Sequence, residues 1–147
     1  MNIKKLKSTI LVLFAALIFL GFTSCGDEYE DREIITDTYT GNIDVTSGGL
    51  DPAGDFTGNG DAGIYSFAWI NPQKKASANF DITTNTGSVQ MIVKDNAGTV
   101  VIDKTLFAGG NDSYSGVSQA GEEGTWIVKL ILTDFNGDGS YSLHPGD

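Results

Sequence analysis

From Ile34 to the C-terminus, apolar side chains recur at every second position, and glycine, asparagine or aspartate breaks the run every few residues. Period two puts successive side chains on opposite faces of an extended chain, whereas a helix needs apolar residues three and four apart. No run of ten residues offers that helical stripe. The segment 125–133 is the clearest strand: Trp126, Val128, Leu130 and Leu132 fall on one face, Ile127, Lys129 and Ile131 on the other. Apolar residues on both faces predict a central position in a sheet. Val89, Met91 and Val93 alternate with Gln90, Ile92 and Lys94, Asp95-Asn96-Ala97-Gly98 reads as a turn, and 99–107 runs back, which predicts a hairpin. With 34–45, 64–70, 76–84, 113–118 and 141–144 the tally is about eight strands.

A chain of 147 residues has room for one ordinary domain. Short strands and 19 glycines predict an all-β fold, an antiparallel β-sandwich of jelly-roll type. A closed barrel is the alternative. The uneven strand spacing and a long glycine-rich loop over 47–63 favour two packed sheets. Nine Lys and Arg against nineteen Asp and Glu give a net charge of −10. That balance excludes nucleic acid as a partner, because phosphate neutralisation needs clustered basic side chains.

Residues 1–24 have the layout of an export signal: Lys4, Lys5 and Lys7, then an apolar run over 10–20, then Thr23 and Ser24. The run is shorter than the ~18 residues a spanning helix requires. Cys25, the single cysteine, follows Phe22-Thr23-Ser24, and this resembles the lipobox of bacterial lipoproteins, with Phe22 where Leu is usual. The resemblance implies lipidation of Cys25 as the first mature residue and a membrane partner reached through that anchor. An ordinary cleaved signal leaving a free thiol is the alternative. Removing 1–24 takes away three lysines and no acid, leaving six basic and nineteen acidic side chains, a net charge of −13. Five acids among Gly26 to Glu33 predict an extended, solvated tether over 25–35, ahead of a domain at 36–147. The acidic run also resembles the export signal of surface lipoproteins of some Gram-negative bacteria. That implies an outer-membrane location facing the cell exterior; a hydrophilic spacer on a periplasm-facing lipoprotein is the alternative.

Gly54-Asp55-Phe56, Ile64-Tyr65-Ser66-Phe67, the span 89–101 with its Asp95 turn, Gly124-Thr125-Trp126-Ile127-Val128 and Gly139-Ser140-Tyr141-Ser142-Leu143 together resemble bacterial pre-peptidase C-terminal domains and related secreted jelly-roll modules. The resemblance covers most of 40–143 and implies a small β-sandwich of the kind that binds calcium or polymeric substrates.

Two segments, Asp55-Phe56-Thr57-Gly58-Asn59-Gly60-Asp61 and Asp134-Phe135-Asn136-Gly137-Asp138-Gly139-Ser140, are dense in oxygen donors, and each precedes a Tyr-Ser pair. Asp134, Asn136, Asp138 and Gly139 occupy positions 1, 3, 5 and 6 of a calcium-loop pattern, but position 12 is Pro145 and a strand follows, so an EF-hand is excluded. Asp134, Asn136, Asp138, Asp55, Asn59 and Asp61 remain candidate calcium ligands; the competing reading makes them turn formers beside glycines. Tyr65, Phe67 and Trp69 would share one strand face, available either to a sugar or to the core, and the core is the better expectation, as it is for Trp126. Tyr114, in a loop-rich stretch, is the aromatic expected to be most exposed. His144 is the only histidine and stands near a C-terminus expected to fray, so a nucleophilic triad has no foundation. The expectation is a non-enzymatic lipoprotein, either an accessory subunit of an outer-membrane protein complex or a stand-alone module that binds a glycan or another polymer.

Overall fold

The computed structural model describes residues 37–44, 49–110 and 112–146. The chain divides into two units, Met1–Arg32 and Glu33–Asp147, and every described residue belongs to the second. The signal segment, Cys25 and the tether over 25–35 lie outside the described residues.

The fold is all-β and antiparallel. Its strands are β1 (Asn42–Ile43), β2 (Ala53–Asn71), β3 (Ala76–Lys94), β4 (Val100–Phe107), β5 (Ser113–Val117) and β6 (Gly124–Pro145), ordered β1-β2-β6-β3-β4, with β5 on the free flank of β3. The six strands replace the eight expected because β2, β3 and β6 are each long enough to serve both layers of the sandwich. One layer holds β1, 53–59 of β2, 136–145 of β6, 76–84 of β3, and β5; the other holds 63–71 of β2, 124–133 of β6, 88–94 of β3, and β4. As the two-faced pattern of 125–133 predicts, β6 is central, flanked by β2 and β3 along its length.

The bends line up across the three strands. Register shifts occur between Asn59 and Gly63 in β2 and between Thr84 and Ser88 in β3, on either side of Asp134 in β6. Gly60 (φ 82°) and Gly87 (φ 86°) supply left-handed backbone there, and Asp134 adopts φ 46°. Glycine reaches this region without steric cost and aspartate is among the few other residues that tolerate it.

Inward side chains from both layers form one core. Phe56, Phe80, Ile82 and Leu143 come from the first layer, Phe135 from the bend, and Val89, Met91, Val93, Trp126, Val128, Leu130 and Leu132 from the second. Each fully buried Val or Leu contributes about 1.5–3 kcal/mol. Aromatic contacts join the layers: Phe67 meets Tyr141 with ring centres 5.8 Å apart, and Lys104 on β4 lies 5.3 Å from the centre of the Tyr114 ring on β5. Tyr114 is therefore half-buried against the core, contrary to the expectation of exposure.

The hairpin expected over 89–107 forms between β3 and β4. Its turn is held by Asp95, whose buried carboxylate accepts from the backbone N–H groups of Ala97 (3.0 Å), Thr99 (2.7 Å) and Glu122 (2.8 Å). These bonds satisfy a charge removed from water and tie the turn to the start of β6.

The largest departure from the sequence reading is at 53–61 and 134–140. Both were expected to be loops, and both are strand. They pair with one another: Gly54 faces Tyr141, Phe56 faces Gly139, Gly58 faces Gly137 and Asn59 faces Asn136. Gly54 and Gly139 occupy inward positions opposite aromatic residues, while Gly58 and Gly137 face one another. A Cβ on Gly139 would enter the Phe56 ring, and one on Gly58 would meet the Tyr39 hydroxyl. Here glycine makes room within a strand instead of turning the chain.

Candidate functional site

Pairing 53–61 with 134–140 brings the sequence candidates onto neighbouring strands of the sheet. Asp55 lies opposite Ser140, which lies opposite Asp81, and the Ser140 hydroxyl donates to Asp81 Oδ1 at 2.8 Å. Thr57 faces Asp138, and Asn59 faces Asn136. Asp134 stands at the bend, where its carbonyl accepts from the Thr86 hydroxyl at 3.2 Å. Among the described residues no group of three or more His, Cys, Asp or Glu is close enough to hold a metal ion. Calcium also takes amide, carbonyl and water oxygens, which abound along these paired strands.

What the geometry does build is a polar cleft of about 300 Å³ between residues 40–42 and the end of the first half of β2. It is lined by Thr40, Asn42, Thr57, Asn59 and Asp61 together with Gly41 and Gly58. Asp61 is its fixed point: Oδ1 accepts from the Thr40 hydroxyl at 3.0 Å and Oδ2 from the Asn59 backbone N–H at 2.6 Å. A carboxylate offers about four acceptor positions, so two donors leave capacity for a ligand. The Asn42 and Asn59 side-chain amides make no hydrogen bond among the described residues, so each presents both donors and an acceptor. No basic side chain lines the cleft.

Tyr39 packs against Gly41 and Gly58, where its hydroxyl takes the place a Cβ would fill. Its hydroxyl donates to the Thr57 carbonyl at 2.9 Å, and the ring is buried. Burial first, and then the Asp61 carboxylate, push its pKa up to about 12 from the ordinary 10.0. The folded state thus retains a proton that the unfolded chain has already released. Stability is expected to fall as pH rises from about 10 to about 12 and to be unaffected by this group at lower pH. Urea midpoints at about pH 9 and about pH 11.5 check this, and Asp61→Asn, which removes the like charge, should shrink the loss.

A second recess, of about 430 Å³, lies beside 67–70 of β2 and is lined by Leu50, Pro52, Phe67, Trp69 and Ile70 among others. Phe67 and Trp69 are core residues, as expected, and Trp69 donates its indole N–H to the Leu50 carbonyl at 2.8 Å. Tyr65 is partly buried beside them. These three rings form no flat exposed platform.

His144 is not on a frayed end. It lies within β6 opposite Ser77, with Nδ1 3.1 Å from Asp51 Oδ1, and both partners are about half-exposed or more.

The fold and site together define an antiparallel β-sandwich with an uncharged-to-acidic polar cleft on one layer. No family model matches the chain, and no curated protein does. Several solved structures are similar in part. TmCBM61 in complex with β-1,4-galactotriose shares 14% identity over 74% of this chain and 87% of that one, with a TM-score of 0.48. A carbohydrate-binding module from Cellvibrio mixtus lichenase 5A in complex with cellotriose shares 11% identity over 73% and 88%, with a TM-score of 0.39. CsCBM6-3 from Clostridium stercorarium in complex with cellobiose shares 16% identity over 76% and 89%, with a TM-score of 0.37. None of these likenesses assigns a family or a ligand to this chain.

Proposed function

We propose that this chain is a non-enzymatic module that binds a neutral glycan in the polar cleft, carried on the outer face of the outer membrane by a lipid on Cys25. The observation that supports the reading is the cleft's chemistry: one anchored carboxylate, two amides with open valences and no cation. Sugar hydroxyls both donate and accept, and short Asp, Asn and Thr side chains meet them at little rotamer cost. The surrounding face carries Asp55, Asp81 and Asp138, which repel polyanions and leave neutral polymers as the compatible class.

A panel of neutral oligosaccharides titrated calorimetrically tests this. Asn42→Ala and Asn59→Ala should each weaken binding about tenfold or more, with melting temperatures nearly unchanged because no hydrogen bond among the described residues holds either amide. Failure of the whole panel, or affinities indifferent to both substitutions, would overturn the assignment.

The accessory-subunit reading has one observation in its favour. The outer face of the second layer carries the half-buried Ile64, Ile92, Ile127 and Ile131 interspersed with Gln90, Lys94 and Lys129, a mixed surface of the kind protein partners use. Isolation of the lipidated protein from its membrane in mild detergent distinguishes the two: a stoichiometric partner supports the subunit, and a protein that comes away alone supports the module.

A further inference from the structure

The sequence holds two Asn-Gly dipeptides, Asn59-Gly60 and Asn136-Gly137, and the ladder between β2 and β6 sets their asparagines opposite one another. Glycine after asparagine places no Cβ in the way and lets the backbone turn freely. The glycine nitrogen then reaches the asparagine side-chain carbonyl carbon, the approach that makes such asparagines thermolabile. The two sites are identical as dipeptides and differ in the structural conditions this approach needs.

Asn136-Gly137 is held extended. Gly137 lies between Gly58 on β2 and Thr84 on β3, and the Asn136 carbonyl accepts from the Thr84 hydroxyl at 2.9 Å. The Thr83 carbonyl and the Thr84 Cα crowd Gly137 where a Cβ would stand, so its backbone has no room to turn. Asn59-Gly60 sits at the bend of β2. The register passes from Asn59 opposite Asn136 to Asp61 opposite Phe135, which leaves Gly60 without a partner on β6. Gly60 has φ 82° and open space where a side chain would go. The Asn59 N–H donates to Asp61 Oδ2 at 2.6 Å, which closes a tight turn over Gly60. The Asn59 side chain itself is exposed, and no hydrogen bond among the described residues holds its amide.

We propose that Asn59 is a site of spontaneous deamidation in the folded chain, cyclising onto the Gly60 nitrogen while Asn136 stays intact. The Gly60 nitrogen bonds to Asn59 Cγ, the Cγ–Nδ2 bond breaks, and Nδ2 leaves as ammonia with the proton the Gly60 nitrogen gives up. Water then adds to the five-membered imide and opens it at either carbonyl, leaving aspartate or isoaspartate. Because Asn59 lines the polar cleft, the product sets a second carboxylate beside Asp61, and the isoaspartyl branch lengthens β2 by one methylene at its bend. The effect on ligand rests on the glycan reading; the modification does not.

Peptide mapping by mass spectrometry, on the full-length chain aged folded and aged in urea, tests this. In the folded chain the Asn59 peptide should gain about 1 Da at least about tenfold faster than the Asn136 peptide, the difference reflecting the opening of a central ladder. In urea the two should convert at similar rates, since only the fold distinguishes them. Isoaspartate should appear beside aspartate at position 59, the signature of the imide, and aspartate alone would overturn the cyclisation. Equal rates at the two positions in the folded chain, or an Asn59 that survives there while both convert in urea, would overturn the proposal. Affinity for a neutral oligosaccharide should fall with the fraction converted. Conversion without that fall leaves the modification standing and overturns the place given to Asn59 in the glycan cleft.

Discussion

Replacing Trp126 by alanine is expected to lower the stability of the folded chain by about 3–5 kcal/mol, the cost of emptying a buried aromatic site that cannot collapse. Trp126 is fully buried on the central strand, stacked edge-on against Trp69 with ring centres 5.7 Å apart. Its indole N–H donates to the Glu122 carbonyl at 2.7 Å, so the substitution also removes the partner of a backbone acceptor. With β2 on one side and β3 on the other, neither neighbour can move inward without breaking a ladder. Total stability for a domain of this size is about 5–15 kcal/mol, so the variant should be largely unfolded in modest urea. Trp69→Ala is the comparison. Trp69 is nearly as buried, but it lines the groove beside Leu50 and Pro52, and the space it vacates can fill with water or be covered by those side chains. Its loss should be smaller by about 1–2 kcal/mol. Equal losses from the two substitutions would show that the centre of the sandwich is no more rigid than its border.

The parts of this fold that the sequence discloses are those where one residue pattern has one physical meaning. Apolar residues on both faces of 125–133 admit a central strand, and Asp95-Asn96-Ala97-Gly98 between alternating segments admits a hairpin turn. Glycine carries no such single meaning. In 53–61 and 134–140 it stands beside Asp and Asn, which is the composition of a turn, while it occupies the inward positions of a strand. The distinguishing signal was available in the order Phe135, Gly137, Gly139, Tyr141, Leu143, which keeps period two once glycine counts as a small inward residue. What could not be read from one strand is that the aromatics opposite Gly139 and Gly54, Phe56 and Tyr141, come from the other.

The cleft was half legible for the same reason. Asn59 and Asp61 stand out as oxygen donors in one short segment. Thr40 and Asn42 reach them only because β1 pairs with β2 across a chain separation that no local pattern encodes. The strand end at His144 shows the converse. Proximity to the C-terminus suggested a frayed end, but pairing with β3 carries β6 through to Pro145. Ladder hydrogen bonds, which depend on the partner strand, decide where an end frays.

Gly139→Val should be as damaging as Trp126→Ala, and it bears directly on what the glycine-rich segments are. Gly139 has ordinary backbone torsions, so the substitution introduces no left-handed strain. The obstacle is space: its Cβ would enter the Phe56 ring and come within 2.7 Å of the Asp81 carbonyl. Phe56 is fixed in turn by Phe80 and Phe135, with ring centres at 6.3 and 5.4 Å, and carbonyl oxygens of a ladder do not yield. Overpacking of this kind costs about 1–3 kcal/mol, and more where the collision is with backbone, so a loss of at least about 3 kcal/mol is expected. Gly60→Ala provides the contrast, because Gly60 has φ 82° and open space where a side chain would go. There the cost is backbone strain alone, about 1 kcal/mol. If the segment 134–140 were a surface turn, the order would reverse, with position 139 tolerant and the positive-φ position the sensitive one. Measuring both by urea unfolding therefore distinguishes a glycine that makes room for an aromatic ring from a glycine that turns the chain, at positions where composition alone makes them look alike.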